Sequence, residues 1–221
     1  MMPKKQITTI VWASVLIWAL LLIINGVSVS QSWFSLVSIV IGILVILIGI
    51  FNKWLWKLSI LHPWLISTPV LQGTWKGEIR SSYIGPKTGQ VTPPIKAYFV
   101  VKQTYSTVTM RLMTNESSSE SISNILRKKD DGSFTLTGIY CNTPLPLVRD
   151  VSPIHYGSVA FSIIDEKAPL LDGEYWTNRL TRGSIRFTQK VDRQIADYET
   201  ADNEFIPPQF TVGNHSLPDT R

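Results

Sequence analysis

The stretch "GTWKGEIR", residues 73–80, decides how the longer part of the chain is interpreted. Side chains of a β-strand alternate between its two faces, and in this stretch one face is small or apolar while the other is charged. The first face holds Gly73, Trp75, Gly77 and Ile79, and the second holds Lys76, Glu78 and Arg80. The alternation predicts a strand with one side in a core and the other in water.

Seven similar segments follow, separated by turn signals such as Asp131-Gly132. The predicted strands are residues 74–80, 95–103, 107–114, 119–129, 133–141, 156–164, 171–178 and 183–191. Eight short strands without a helical period predict a small antiparallel all-β barrel, whose closure removes exposed strand edges. A seven-stranded sandwich is the alternative. An eight-stranded barrel has room for side chains or for one small ligand.

The opening "GTW" is similar to that of lipocalin-like barrels, in which a Trp plugs the barrel floor and a late Arg covers it. We therefore expect Trp75 to be structural. The candidates for its cover are Arg186 and Lys190.

The N-terminal part of the chain is of a different kind, since the 47 residues from Gln6 to Asn52 carry no charge. It contains two apolar runs, residues 7–25 and 34–56. As helices they reach roughly 28 and 34 Å, about the thickness of the hydrocarbon core of a bilayer. We therefore predict a membrane protein with two transmembrane α-helices. A cleaved signal peptide is disfavoured, because the first run is too long and a second run follows it.

Lysines flank both runs, at Lys4, Lys5, Lys53 and Lys57, whereas the intervening loop has none. The positive-inside rule then places the N-terminus and the C-terminal domain in the cytoplasm. The predicted organisation is a transmembrane hairpin at 1–57, a connector at 58–71, a barrel at 72–194 and an acidic, flexible tail at 195–221. Residues 72–195 hold sixteen Lys and Arg against eleven acids, an excess that suits an anionic partner.

Residues that carry catalysis or bind metals are not arranged in a known pattern. The chain has one cysteine, Cys141, and three histidines without metal-ligand spacing. Hydrolase, zinc-protease, P-loop and dinucleotide fingerprints are absent. Paired acids at 130–131 and 165–166 fall in predicted turns, where acids are common for local reasons. We expect a binding protein rather than an enzyme, with no catalytic residue, metal or cofactor.

The whole arrangement resembles the CBASS antiphage effectors described as SMODS-associated two-transmembrane, β-strand-rich proteins. The resemblance covers residues 1–192 and rests on the architecture, on "GTWKGEI" and on "DGEYWTNRLTRGSIRF". It implies a protein of the bacterial inner membrane whose cytoplasmic barrel binds a cyclic oligonucleotide made by a CD-NTase enzyme. It further implies that binding promotes homo-oligomerisation, and that the hairpins then disrupt the bilayer and stop phage propagation. DNA or RNA binding is not expected.

A cyclic dinucleotide site needs cations for phosphates, flat groups for bases and hydrogen-bonding groups for base edges. The stretch 175–182 supplies all three kinds. Its candidates are Tyr175, Trp176, Thr177, Asn178, Arg179 and Arg182, and further candidates elsewhere are Tyr105, Arg111, Arg80 and Tyr140. One of Tyr175 and Trp176 must point into the barrel. Two other functions remain open, a membrane-tethered lipocalin-like carrier of an apolar ligand and a barrel that only docks another protein.

Overall fold

The computed structural model describes residues 4–25, 33–85, 89–163 and 170–205. It divides into two compact units. One unit comprises residues 1–71 together with 103–108, and the other comprises residues 72–102 together with 109–221.

The N-terminal unit contains two packed α-helices, α1 (Lys4–Asn25) and α2 (Trp33–Lys53). Both overlap the two apolar runs, and each includes flanking lysines, Lys4 and Lys5 in α1 and Lys53 in α2. The predicted loop between them is residues 26–33, of which 26–32 lie outside the described residues and Trp33 begins α2. In the described part of the chain, no helix combines the length and the hydropathy that a membrane span requires.

Short 3₁₀ turns at Leu55–Lys57 and Ser59–Leu61 follow α2. The connector folds around the buried side chains of Trp56, Ile66 and Leu71. The side-chain amide of Gln103 fixes its end, accepting from Leu71 N at 2.7 Å and donating to the Pro69 carbonyl at 3.0 Å.

Eight antiparallel strands form a closed barrel in sequence order, which confirms the predicted fold of this region. The strands are β1 (Gly73–Ser81), β2 (Ile95–Gln103), β3 (Val108–Met113), β4 (Ser117–Lys128), β5 (Phe134–Pro144), β6 (His155–Ile163), β7 (Leu171–Thr177) and β8 (Arg182–Val191). Every predicted strand end lies within three residues of the observed end. Alternation of apolar and polar residues, which reports burial directly, is the reason for this agreement.

An aromatic core fills the barrel floor. Phe99 packs against Phe161 and Phe187, with ring centroids 5.1 and 5.0 Å apart. Trp75 is fully buried, and the ammonium of Lys190 lies 5.6 Å from its ring centroid. Of the two residues proposed to cover Trp75, it is therefore Lys190 that lies over the ring. Arg186 is exposed and donates to Asp172 at 2.7 Å.

A third helix, α3 (Tyr198–Glu204), begins at an Asp197 cap whose carboxylate accepts from Thr200 N. The segment buries Ile195 and Ala201 against the outer face of β2, in one cluster with Tyr98 and Val100. The structure thus differs from the predicted flexible tail over residues 195–205, because apolar side chains spaced along an acidic segment give it a face to bury. The rest of the tail, 206–221, lies outside the described residues.

Candidate ligand-binding cavity

The open end of the barrel contains a cavity of about 800 Å³. All eight strands contribute residues to its wall. The connections at that end also contribute, including the 3₁₀ turn Pro146–Val148 between β5 and β6. Phe99 and Phe161 lie at its base. The volume is within the range of about 300–1,000 Å³ that small-molecule sites occupy.

The β7–β8 turn carries the cation of this cavity. Thr177 N donates to the Thr181 carbonyl at 2.9 Å, and Leu180 adopts a left-handed φ of 62° that closes the turn. The Thr177 hydroxyl accepts from Arg179 N at 3.2 Å and bonds the Thr181 hydroxyl at 2.7 Å. These bonds fix the turn so that the Arg179 side chain lines the cavity.

Arg179 has a partly satisfied guanidinium. Nη1 donates to the Ser152 hydroxyl at 3.1 Å, whereas Nε is buried and has no hydrogen-bond partner. None of the ion pairs among the described residues includes Arg179. A buried polar group without a partner costs free energy. This guanidinium is therefore suited to donate hydrogen bonds to a bound anion.

Two tyrosines flank that charge, Tyr140 on β5 and Tyr175 on β7. Each stands opposite a glycine, since Tyr140 pairs with Gly157 and Tyr175 with Gly183. A Cβ added at Gly157 would collide with the Tyr140 ring, so the absent side chain makes room for it. Burial raises the pKa of both phenols, and the Arg179 charge opposes this rise. Both rings are therefore neutral at pH 7.

His155 begins β6 at the same end of the barrel and is buried. Burial lowers the pKa of its imidazole, the bond between Nδ1 and the Pro153 carbonyl (2.9 Å) raises it, and the Arg179 charge lowers it further. Glu116 is the one carboxylate among the described residues of the wall, and it is exposed. The cavity also includes Lys96, but Asp202 pairs with that ammonium at 2.7 Å. Arg179 therefore provides the uncompensated charge.

The adjoining part of the wall, on β4 and the end of β5, holds polar and neutral side chains. Asn142 donates through Nδ2 to the hydroxyls of Ser119 (2.8 Å) and Ser117 (3.1 Å). Asn142 and Ser119 are buried, and Thr114 continues the group toward the rim. These residues and His155 were not among the sequence candidates. The signal was available for Asn142, because it lies two residues after Tyr140 and so on the same face of the strand.

The structure brings four of the ten sequence candidates together in the cavity wall: Tyr140, Tyr175, Thr177 and Arg179. Tyr175 is the inward member of its pair with Trp176, whose ring is exposed on the outer face. Arg182 is exposed at the start of β8. Its backbone N donates to the Ser82 hydroxyl at 3.1 Å.

Three further candidates, Asn178, Arg80 and Arg111, already have hydrogen-bond or ion-pair partners. The last candidate, Tyr105, lies in the helical unit. The Asn178 side chain accepts from Tyr156 N at 3.2 Å, Arg80 pairs with Glu78 at 2.8 Å, and Arg111 donates to the Ile195 carbonyl at 2.9 Å. Tyr105 belongs to the helical unit, where its ring lies 5.3 Å from Phe51 and 6.2 Å from Trp56. None of these four lines the cavity in the described part of the chain.

Comparison with known proteins identifies the family of this chain. A family model described as "Cap15, cyclic dinucleotide receptor domain" matches residues 66–189. CD-NTase-associated protein 15 of Escherichia albertii is 30% identical over 200 residues, covering 85% of this chain and 94% of the relative. CD-NTase-associated protein 15 of Staphylococcus schleiferi is 23% identical over 175 residues, covering 79% and 90%. The resemblance to CBASS effectors is thereby confirmed, and this chain belongs to the Cap15 family.

Proposed function

We propose that the barrel binds a cyclic dinucleotide in its cavity and that the chain acts as a membrane-anchored effector of CBASS antiphage defence. The observation that carries the proposal is Arg179, a guanidinium inside the cavity with a buried, unpartnered Nε and no acid beside it. The family match supports the choice of ligand, because its description names a cyclic dinucleotide receptor domain.

The rest of the wall suits the other parts of such a ligand. A phosphate accepts two parallel hydrogen bonds from a guanidinium, and Nε with one Nη nitrogen of Arg179 forms such a pair. Tyr140 and Tyr175 offer ring faces on which unstacked bases bind. Asn142 with Ser119 and Ser117 offers donors and acceptors for a base edge. Ligand binding would release Arg179 from Ser152 or share it, which couples the ligand to the β5–β6 connection.

We further propose that α1 and α2 anchor the chain in the bacterial inner membrane. The support comes from the sequence, because residues 6–52 carry no charge. Some side chains in this range lie outside the described part of the structure. Among the described side chains, large apolar ones are exposed along both helices, including Trp12, Leu16, Leu20, Val45 and Ile46. Large exposed apolar surfaces mark contact with a partner or with lipid. The flanking lysines favour a cytoplasmic N-terminus and barrel.

In this proposal a CD-NTase makes the ligand after infection, and ligand binding promotes homo-oligomerisation. The hairpins of the assembled copies then disrupt the membrane, and the infected cell stops growing. The chain acts by binding and carries out no catalysis. A carrier of an apolar ligand has less support, because three Phe rings fill the barrel floor and the lining of the remaining cavity includes the Arg179 cation and several hydrogen-bonding side chains.

Titration of the full chain in detergent with cyclic di-AMP, cyclic di-GMP, cyclic GMP-AMP and cyclic di-UMP tests the ligand. At least one of them binds, and Arg179→Ala weakens that binding about tenfold to a hundredfold, the range for a lost charged hydrogen bond. Arg182→Ala is the matched control, since it removes an exposed arginine three residues away on the same hairpin.

Equal affinities for Arg179→Ala and the unmodified chain would place the ligand elsewhere, and no binding in the whole panel would overturn the proposal. The membrane step has a separate readout. Vesicles of bacterial lipid that contain the full chain release a trapped dye when the binding dinucleotide is added, and vesicles with Arg179→Ala release less. Binding without any release would overturn the membrane step alone.

A further inference from the structure

The outer face of β4 to β7 carries five large apolar side chains that the described chain leaves uncovered: Ile122, Ile125, Ile139, Tyr156 and Trp176. Each is between 49% and 62% exposed. The strand register makes them neighbours, because Ile139 stands opposite Ser158 and Ser158 stands opposite Trp176. Tyr156 lies on β6 two residues before Ser158, and so diagonal to Ile139 on one side and to Trp176 on the other. We call these five residues the isoleucine face.

The barrel treats its other outer apolar surface differently. Tyr98 and Val100 also point outward, on β2, and there α3 and Ile195 cover them until both are nearly inaccessible. The isoleucine face has no such cover among the described residues. At roughly 100 Å² for each half-exposed side chain it presents on the order of 500 Å², the main part of the roughly 800 Å² that each partner of a standard interface contributes.

Charges at the two ends of this face indicate the partner. On β4, Glu120 precedes the isoleucines and Arg127 follows them, and both are exposed. A register shift between Ser121 and Ser123 inserts one extra residue into the strand. Without it, residues seven apart would face opposite sides, because a strand alternates with a period of two. With it, both charges and Ile125 share the outer face.

An acid at one end of β4 and a base at the other make this strand complementary to itself, since Arg111, which stands opposite Glu120 on β3, donates to the Ile195 carbonyl instead. When two copies of the same patch meet around a two-fold axis, each end of one copy meets the opposite end of the other. Glu120 of one copy then lies against Arg127 of its partner, and the isoleucines meet between them. Neither residue forms a salt bridge within the described part of the chain.

We propose that the isoleucine face binds the same face of a second copy of this chain, with the two-fold axis near Ser123. The inference rests on the proposed function in one respect, since that function has copies assemble on activation. It adds which surface assembles and in which orientation. The two copies lie with their β4 strands antiparallel, and both cavities remain open because their walls are formed by the opposite faces of the strands.

Disulfide cross-linking of the full chain in membrane vesicles tests the axis. Ser123→Cys in a Cys141→Ser background places one thiol on each copy beside the axis, because Ser123 is exposed and stands opposite Ile139. Ser184→Cys in the same background is the matched control, since Ser184 is an exposed outer residue of β8. Oxidation, with and without the dinucleotide panel, links the first variant into dimers and leaves the control unlinked.

Charge reversal tests the orientation. Glu120→Arg and Arg127→Glu each place like charges together, and each weakens the dimer about threefold to tenfold. The double variant restores the opposite pair on both sides of the axis and recovers most of the dimer. Ile125→Glu weakens the dimer more than either single reversal, because it places a charge in the apolar centre. Light scattering on the detergent-solubilised chain measures these differences.

The proposal is overturned when Ser123→Cys links no better than Ser184→Cys with and without dinucleotide, or when the double reversal behaves as the sum of the single ones. It is also overturned when Ile125→Glu leaves the oligomeric state unchanged, since the apolar centre of the face then makes no contact between copies. Dinucleotide titration of the same variants separates the two levels. Normal ligand affinity without cross-linking removes this interface and leaves the proposed function intact.

Discussion

The two halves of the barrel interior differ in chemistry although the same strands build both. Toward the floor the inward residues are Trp75, Phe99, Phe161 and Phe187, which fill the space and bury one another. Toward the mouth the same strands place polar residues inward, and an 800 Å³ cavity remains. On β6 the change occurs between Phe161 and His155, within one strand.

This difference separates stability from recognition along the barrel axis. The floor gains from the burial of apolar area and from ring contacts, which need no ligand. The mouth holds Arg179 Nε, a buried donor without a partner among the described residues, and its partner must come from a ligand or from water. Variants at the two ends should therefore have opposite signatures in unfolding and in binding.

The largest effect is expected at the floor. Phe161→Ala removes a ring in contact with Phe99 and Phe187, and it leaves a cavity that the closed barrel cannot collapse. The free energy of unfolding should fall by about 3–5 kcal/mol. Chemical unfolding of the full chain in detergent measures the loss. Trp176→Ala removes a larger but half-exposed ring, and an equal loss for this control would contradict the assignment of stability to the floor.

The sequence was sufficient for the barrel because alternation reports burial, and a closed barrel makes burial alternate along every strand. The directions of the side chains in the turns are harder to predict from the sequence. Arg179 and Arg182 look equivalent in sequence, and the left-handed Leu180 between them sends one to the cavity and the other to the outer surface. A period of two cannot be continued through such a turn.

The sequence pattern does not predict helix α3, for another reason. Residues 198–204 are acidic, and seven residues give too little of the 3.6-residue period to be recognised. The available signal was the cap, since Asp197 with Thr200 matches the pattern of a helix start. Metal-ligand spacing cannot predict the place of His155, because that place is set by the β5–β6 connection, which brings it into the same cavity wall as Tyr140 and Arg179.

The next effect is expected for the rings at the mouth. Tyr140→Ala removes one candidate stacking surface, and affinity for the dinucleotide should fall about tenfold to a hundredfold, the range for base–aromatic stacking. Tyr140→Phe keeps the ring face and should retain most of the affinity. Isothermal titration measures both, together with their unfolding free energies.

Gly157→Ala sharpens this test without changing the tyrosine. The added Cβ would collide with the Tyr140 ring and lie 2.9 Å from the Trp176 carbonyl, so it displaces the ring from the wall and also strains the pairing of β6 with β7. Affinity should therefore fall as it does in Tyr140→Ala. An unchanged affinity in both variants would show that the ring faces at the mouth do not contact the ligand.

A smaller effect is expected at Asn142. Asn142→Ala removes the donor to Ser117 and Ser119 but leaves both hydroxyls beside a cavity where water can reach them. Stability should fall by only about 1 kcal/mol, while the ratio of affinities for different dinucleotides should change. Asn178→Ala, at an asparagine outside the cavity, is the control. Parallel changes for every dinucleotide in Asn142→Ala would show that this wall does not read the bases.

The smallest effect is the pH dependence of stability through His155. Burial lowers the pKa of this imidazole in the folded chain, and the Arg179 charge lowers it further. The unfolded chain then takes up the proton first, so this contribution to stability is complete above about pH 6.5 and declines as the pH falls below it. His155→Gln should show a weaker decline between pH 7 and pH 5 in chemical unfolding.

A bound dinucleotide provides the control for this last comparison. Its phosphates favour the charged imidazole and oppose the effect of Arg179, so the pKa of His155 rises in the complex and the acid-induced loss of stability shrinks. By the same linkage, affinity for the dinucleotide increases as the pH falls through this range in the unmodified chain and changes less in His155→Gln. An identical pH dependence of affinity in the two proteins would place the phosphates away from His155 and confine them to the Arg179 side of the mouth.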